Sequence, residues 1–429
     1  MMTRLLVITL SYVLTITIIF SGLYAIMLHN GMPQAKDNQG TEKVPVADNL
    51  SHTENKGEIS AVWIATVSNI NYPSRAGLSA PELMSELDAI VESVAELGAG
   101  AIFFQVRPCA DALYKSDLFV QSEYVSGKRG EAADGGFDSL SYIIKRAHQK
   151  GIELHAWINP VRVLSGTPSS PASRETLCRD ESAYLHPEWV VEYADGSLYY
   201  DLGIPEVRNH IADGVYEIVS RYDVDGVVFD DYFYPYPVKD EDGKTAAFDD
   251  SDTYKKYGGS LSLGDFRRSC VQTLVRICSI SVKKADKECM YGIAPFGIWK
   301  NDTADGGAGT SGLESYYDIW CDTLSFAQEG CVDYIAPQLY WEIGYESADF
   351  LTLAKWWSEQ LSKTNAAFIP CLAPYRYSEG RYKTGELSRQ LEYVRTLPSY
   401  KGIALYGYAA LTDKSLSASD EVQEFLKAE

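Results

Sequence analysis

Basic residues are in short supply: 38 Lys and Arg stand against 59 Asp and Glu, a formal net charge of −21. A phosphate backbone wants a basic partner, so this balance argues against nucleic acid. It favours neutral or cationic substrates over anionic ones. Among the eight cysteines (Cys109, Cys178, Cys270, Cys278, Cys289, Cys321, Cys331 and Cys371) there is no CxxC pair and no Cys/His zinc spacing. Cys289, Cys331 and Cys371 lie in or beside apolar runs and read as small buried hydrophobes, so mostly free thiols are expected. No HxxEH, HExxH or DxDxDG pattern occurs, which weakens any case for metal catalysis. No Gly-rich phosphate turn follows the first strand-like run, which counts against a doubly wound nucleotide-binding sheet. The motifs call for neither a metal nor a cofactor.

What the chain does have is tyrosine, 30 residues against 14 Phe and 8 Trp. Tyr and Trp pair an apolar face with a polar tip, which suits carbohydrate surfaces. With 429 residues, 46% of them hydrophobic, the chain can bury the core of one large domain or two ordinary ones. Residues 5–28 carry no charge and are mostly apolar, as a signal peptide or membrane anchor requires. Ser21, Gly22 and Ala25 offer a cleavage site, and no nearby Cys supports a lipid anchor. Residues 29–57 are polar and turn-rich and read as a linker, leaving 58–429 as an exported catalytic domain. If the first 28 residues are retained, they attach the chain to a membrane.

From residue 59 onward, short apolar runs alternate with amphipathic stretches. The predicted strands are ISAVWIATV (59–67), AIFFQVRP (101–108), IELHAWINP (152–160), DGVVFDD (225–231), CMYGIAPF (289–296), VDYIAPQLYW (332–341), AAFIPCLAP (366–374) and KGIALYGY (401–408). Helical patterns fall between them, such as LMSELDAIVESVAELG, and DSLSYIIKRAHQKG with Asp138 as its cap. Eight βα units predict an α/β fold, a parallel (β/α)8 TIM barrel with long βα loops. One such loop, 161–204, contains a hairpin turning at Asp195–Gly196.

In a barrel the active site lies at the strands' C-terminal ends. Alternation along each strand puts Gln105 and Arg107 on one face, as it does His155, Trp157 and Asn159, and Gln338, Tyr340 and Glu342. It turns Asp230 into the barrel and leaves Asp231 at the rim. The aromatic patch YFYPYP follows at once, and carboxylates beside stacking rings are what an enzyme acting on sugars needs.

The segments AVWIATVSNINYPS, QVRPCADALYKSDLF, HAWINPVR, DGVVFDDYFYPYP and DYIAPQLYW resemble the glycoside-hydrolase-like family 10, divergent bacterial glycosyl hydrolases with a barrel fold. The resemblance spans roughly residues 57–410. It implies a cell-envelope enzyme that hydrolyses glycosidic bonds, with peptidoglycan glycan strands as substrate.

Glycoside hydrolysis needs one carboxyl kept protonated and one ionised. Asp230 is the first choice for nucleophile or general base, and Glu342 for the acid partner. Asp231 stays in play as an acid because a like charge beside it raises a pKa. Gln338 and Tyr340 read as substrate hydrogen-bonding groups, or as barrel packing. Gln105 joins them on the substrate side, and Arg107 either orients Asp230 or meets a lactyl carboxylate of the glycan. Asn159 binds a sugar hydroxyl or caps the following turn. Trp157, Tyr232, Tyr234, Trp299 and Trp341 are candidate sugar-stacking rings, each with core packing as the alternative, while His155 sits deeper in a structural role. Two other functions remain open: a non-catalytic wall-binding barrel, and a metal-dependent polysaccharide deacetylase using Asp230, Asp231 and His155.

Overall fold

Runs rich in β-branched and aromatic residues, bounded by Gly, Pro and Asp, form strands, and the amphipathic stretches between them form helices. The computed structural model describes residues 57–239 and 243–428. One sheet is built from β1 (Ile59–Ile64), β2 (Ala101–Arg107), β3 (Glu153–Ile158), β4 (Gly226–Phe229), β5 (Met290–Ile293), β6 (Tyr334–Ile335), β7 (Ala367–Phe368), β8 (Cys371–Leu372) and β9 (Gly402–Leu405). Every pairing in it is parallel, in the order β7-β6-β5-β4-β3-β2-β1-β9-β8.

The sheet curls, because its two end strands are pieces of one extended segment. β7 pairs with β6, and β8 pairs with β9. Between them the Ile369 amide donates to Ile335 at 3.0 Å, and the Pro370 carbonyl accepts from Ala404 at 3.0 Å. Proline has no N–H to give, so the ladder breaks there and the strand predicted over 366–374 appears as two short ones.

Helices follow the strands: α1 (Ala80–Leu97), α2 (Ser139–His148), α3 (Pro205–Arg221), α4 (Leu263–Ala285), α5 (Thr323–Gln328), α6 (Phe350–Leu361), α7 (Glu386–Arg395) and α8 (Ala418–Lys427). A capping box between Ser79 and Glu82 starts α1, and Gly98, at φ 86°, ends it. Asp138 caps α2 by accepting from the Ser141 amide at 2.9 Å.

Strand alternation sorts the core into two clusters. Val62, Ile64, Ile102 and Phe104 pack towards the helices, while Ala61, Trp63, Phe103 and Trp157 pack together on the inner face. Trp63 meets Phe103 and Trp157 edge-on, with centroids at 4.8 and 4.9 Å. His155 Nδ1 and the Tyr334 hydroxyl are hydrogen-bonded at 2.9 Å, so this histidine belongs to the buried interior.

Alternation fails at one place. β2 pairs Gln105 with Trp157 but Arg107 with Ile158, so Val106 is an extra residue, a β-bulge. The segment predicted to signal or anchor, 1–28, and nearly all of the linker lie outside the described residues. Among the described residues no helix is long and apolar enough to cross a membrane. All eight cysteines are unpaired, and seven of them are buried.

Candidate active site

Two consecutive carboxylates stand where the chain leaves β4. Asp230 and Asp231 are 4% and 1% exposed. Asp230 Oδ2 accepts from Trp157 Nε1 at 3.0 Å and from Asn159 Nδ2 at 3.2 Å, both carried by the adjacent β3 segment. Asp230 Oδ1 takes only a long contact from the Tyr232 amide, 3.3 Å. Asp231 Oδ1 accepts from Gln338 Nε2 at 2.9 Å, and its Oδ2 accepts from the Tyr236 hydroxyl. Gln338 also donates to the Ala294 carbonyl at 3.0 Å, which fixes its amide orientation.

Burial drives the Asp230 carboxyl up to about 7, and the negative charge of Asp231 adds to the rise; Arg162, Trp157 and the Tyr232 amide oppose it. Burial raises Asp231 as well, against its bonds from Tyr236 and Gln338. Two such neighbours titrate as a pair, each making it harder for the other to ionise. Arg162 supplies the nearby positive charge. Its guanidinium donates twice to the Pro108 carbonyl, at 3.2 and 3.0 Å, and lies 5.3 Å over the Tyr232 ring centroid.

Aromatic rings surround the pair. Tyr232 packs on Tyr236 (5.2 Å), Tyr236 on Phe296 (6.0 Å) and Phe296 on Trp341 (5.7 Å). Tyr340 stacks on Tyr406 at 5.8 Å and 19°, with Tyr375 edge-on to both. The Tyr406 ring feels the charge of both Asp230 and Asp231. Among the described residues no group of three His, Cys, Asp or Glu side chains is placed to hold a metal ion.

The sequence model of the family described as glycosyl hydrolase-like 10 matches residues 58–383. The chain belongs to this family. It is 37% identical over 363 residues to glycosyl hydrolase YngK of Bacillus subtilis (strain 168), covering 81% of this chain and 68% of the relative. It is 33% identical over 371 residues to glycosyl hydrolase DigH of Escherichia coli (strain K12), covering 80% and 82%. Among solved structures, the PgaB (BpsB) glycoside hydrolase domain from Bordetella bronchiseptica shares the fold, with a TM-score of 0.53 at 12% identity over 86% of this chain and 98% of that one. The chain is a glycoside hydrolase.

For this glycosyl hydrolase-like 10 protein, the structure brings together Asp230, Asp231, Trp157, Asn159, Tyr232 and Gln338, with Tyr340 and Trp341 on the aromatic rim. Asn159 does two jobs at once: its amide nitrogen holds Asp230, while its oxygen accepts from the Arg162 amide at 3.2 Å and caps the turn. Asp231 is not at an open rim. The chain leaves strand geometry after Phe229, so alternation no longer governs it and it is as enclosed as Asp230.

Other expected site residues make no hydrogen bond or ion pair with Asp230 or Asp231 among the described residues. The bulge at Val106 turns Arg107 outward beneath α3, 3.8 Å over the Phe119 ring centroid and 2.5 Å from the Tyr114 hydroxyl. It therefore neither orients Asp230 nor meets substrate. Gln105 is fully enclosed, and its Oε1 accepts from the Thr66 and Val67 amides at 2.8 and 2.9 Å, which pins the end of β1. Tyr234 is buried between Phe248 and Trp320. Trp299 stacks on Trp356 of α6 at 5.7 Å and donates to Asp322 at 3.0 Å. Glu342 is half-buried in the loop after β6, and its carboxylate forms no hydrogen bond or ion pair among the described residues.

Sequence reasoning passed over Arg162, Tyr375 and Tyr406, and took Tyr236 only as part of the aromatic patch. Arg162 lies in the HAWINPVR motif but beyond the end of β3, where alternation predicts nothing. Tyr406 follows β9 directly, a position that strand-end logic already marks.

Proposed function

We propose that this glycoside hydrolase cuts glycosidic bonds of a cell-envelope polysaccharide, with peptidoglycan glycan strands as substrate. Its scaffold is an eight-unit (β/α) barrel in which β7 and β8 count as one strand. The observation that carries the chemistry is the buried Asp230–Asp231 pair, in which Asp230 is pushed up to about 7 and so is poised to give up a proton near neutral pH. Asp230 Oδ2 is occupied by two N–H donors, so the proton sits on Oδ1. From there Asp230 acts as the general acid that protonates the departing glycosidic oxygen. Strand position alone suggested a nucleophile or general base; the raised pKa favours the acid role instead. Asp231, held by Gln338 and Tyr236, stabilises the positive charge that develops on the sugar ring. The surrounding tyrosines exclude water and present stacking faces.

Peptidoglycan strands are supported by the family resemblance of the HAWINPVR and DGVVFDDYFYPYP motifs. Export is supported by the uncharged apolar run at 5–28. The test is product analysis by mass spectrometry after incubating the purified full chain with peptidoglycan and with peptide-free glycan strands. Soluble fragments are expected, and Asp230→Asn should bind strands without releasing any. Strands that stay intact with the parent protein would overturn the reading.

A further inference from the structure

A second concavity of about 390 Å³ lies between the loops that follow β3, β4 and β5. Its walls include Tyr193, Pro235, Pro237, Phe248, Tyr317 and Trp320. The volume falls at the lower end of the range for ligand pockets, about 300–1,000 Å³. The groove adjoins the active site along the chain: Pro235 and Pro237 flank Tyr236, whose hydroxyl bonds Asp231.

Two rings in this groove are held in place before any ligand arrives. Trp320 sits at φ 49°, a left-handed backbone that bulky residues rarely adopt and that folds retain where geometry matters. The Arg267 guanidinium lies 4.0 Å over its ring centroid and is itself anchored to buried Asp250 by bonds of 2.7 and 2.5 Å. Tyr317 is 47% exposed, yet its hydroxyl is tied to Asp305 Oδ2 at 2.5 Å. Fixed rings lose little freedom when a flat apolar surface docks on them. The polar groups point to the same class of ligand. Asp318 Oδ2 takes the Glu314 amide at 2.7 Å, leaving Oδ1 to accept, and Lys239, bonded to Thr245 at 2.9 Å, has further N–H donors to give. Stacking faces beside an acceptor and a donor fit a neutral ring rich in hydroxyl or amide groups.

We infer that this groove is a sugar-binding platform for units of the glycan remote from the bond being cut. The inference rests on reading Asp230 and Asp231 as the cleavage site, and it adds a second contact region on the same chain of sugars.

The probe is a set of peptide-free glycan strands fractionated by length, offered to the full chain. Binding is measured by calorimetry in Asp230→Asn, and cleavage in the parent. Affinity and kcat/KM should rise with strand length, and Tyr317→Ala should flatten that rise, with about a tenfold loss on long strands. Trp320→Ala should do the same, with its melting temperature recorded because Arg267 leans on the ring. Length dependence that survives Tyr317→Ala overturns the platform, as does failure to bind any fraction. Cleavage that persists in Asp230→Asn, with Tyr317→Ala still weakening long strands, overturns the catalytic assignment and leaves the platform standing.

Discussion

Trp157 donates from its indole nitrogen to Asp230 across 3.0 Å, joining the last inward side chain of β3 to the first carboxylate beyond β4. This bond favours the ionised carboxylate and so holds the Asp230 pKa down against burial. Trp157→Phe removes the donor. Asp230 should then keep its proton to higher pH, moving the alkaline limb of kcat/KM upward, and a pH–rate profile checks it.

Asp231 acts on its neighbour with the opposite sign. Its charge helps raise Asp230 to about 7, so Asp231→Asn should let Asp230 ionise earlier. The alkaline limb should shift to lower pH by about one unit. Asp230→Asn should instead lower kcat at every pH, by about 100-fold or more.

The same pKa makes a statement about stability. Asp230 ordinarily titrates near 3.8 and in the fold near 7, so the native state binds the extra proton between those values. Native stability is therefore favoured below about pH 4 and declines as pH rises towards 7, as the buried group is forced to ionise. Asp230→Asn should remove that decline. Melting temperatures of variant and parent should converge at pH 4 and separate by pH 8, with the variant higher.

Gly214 lies in α3 against the outward-turned Arg107. A β-carbon there would stand 2.6 Å from Arg107 Nη2 and 2.4 Å from the Phe119 ring. Both neighbours are buried, so Gly214→Ala should destabilise the fold by about 1–3 kcal/mol, read from denaturant unfolding.

The candidate site holds no triad of metal-ligating side chains among the described residues. Turnover on glycan strands should be unchanged by EDTA, and loss of activity on chelation would point to a metal-assisted reaction instead.

Much of the fold is readable because period-two and helical patterns are local: the nine strands of the main sheet lie within the eight predicted runs. Asp230 was placed by the same rule, through an abrupt change from Val227, Val228 and Phe229 to carboxylate. The rule fails wherever the backbone leaves the regular ladder. Arg107 was misplaced by one bulged residue, and Asp231 by the end of β4. For Tyr234 and Trp299, left open between sugar stacking and core packing, the structure shows packing. Their partners Phe248, Trp320 and Trp356 come from distant loops and helices, and composition gives no hint of that pairing. The protonation of Asp230 depends on enclosure by several strands, which no local pattern encodes.

The extra residue at Val106 has an electrostatic consequence. In regular alternation Arg107 would project into the cleft beside Asp230, and a guanidinium there would strip the proton that the acid role requires. Turned outward, that charge is insulated behind the sheet. Arg162, leashed to the Pro108 carbonyl and the face of Tyr232, is then the cation that opposes the rise of Asp230, and burial together with the charge of Asp231 outweighs it. One inserted residue thus acts as a switch of sign: it decides whether the first carboxylate of the cleft serves as a counter-ion or as a proton donor.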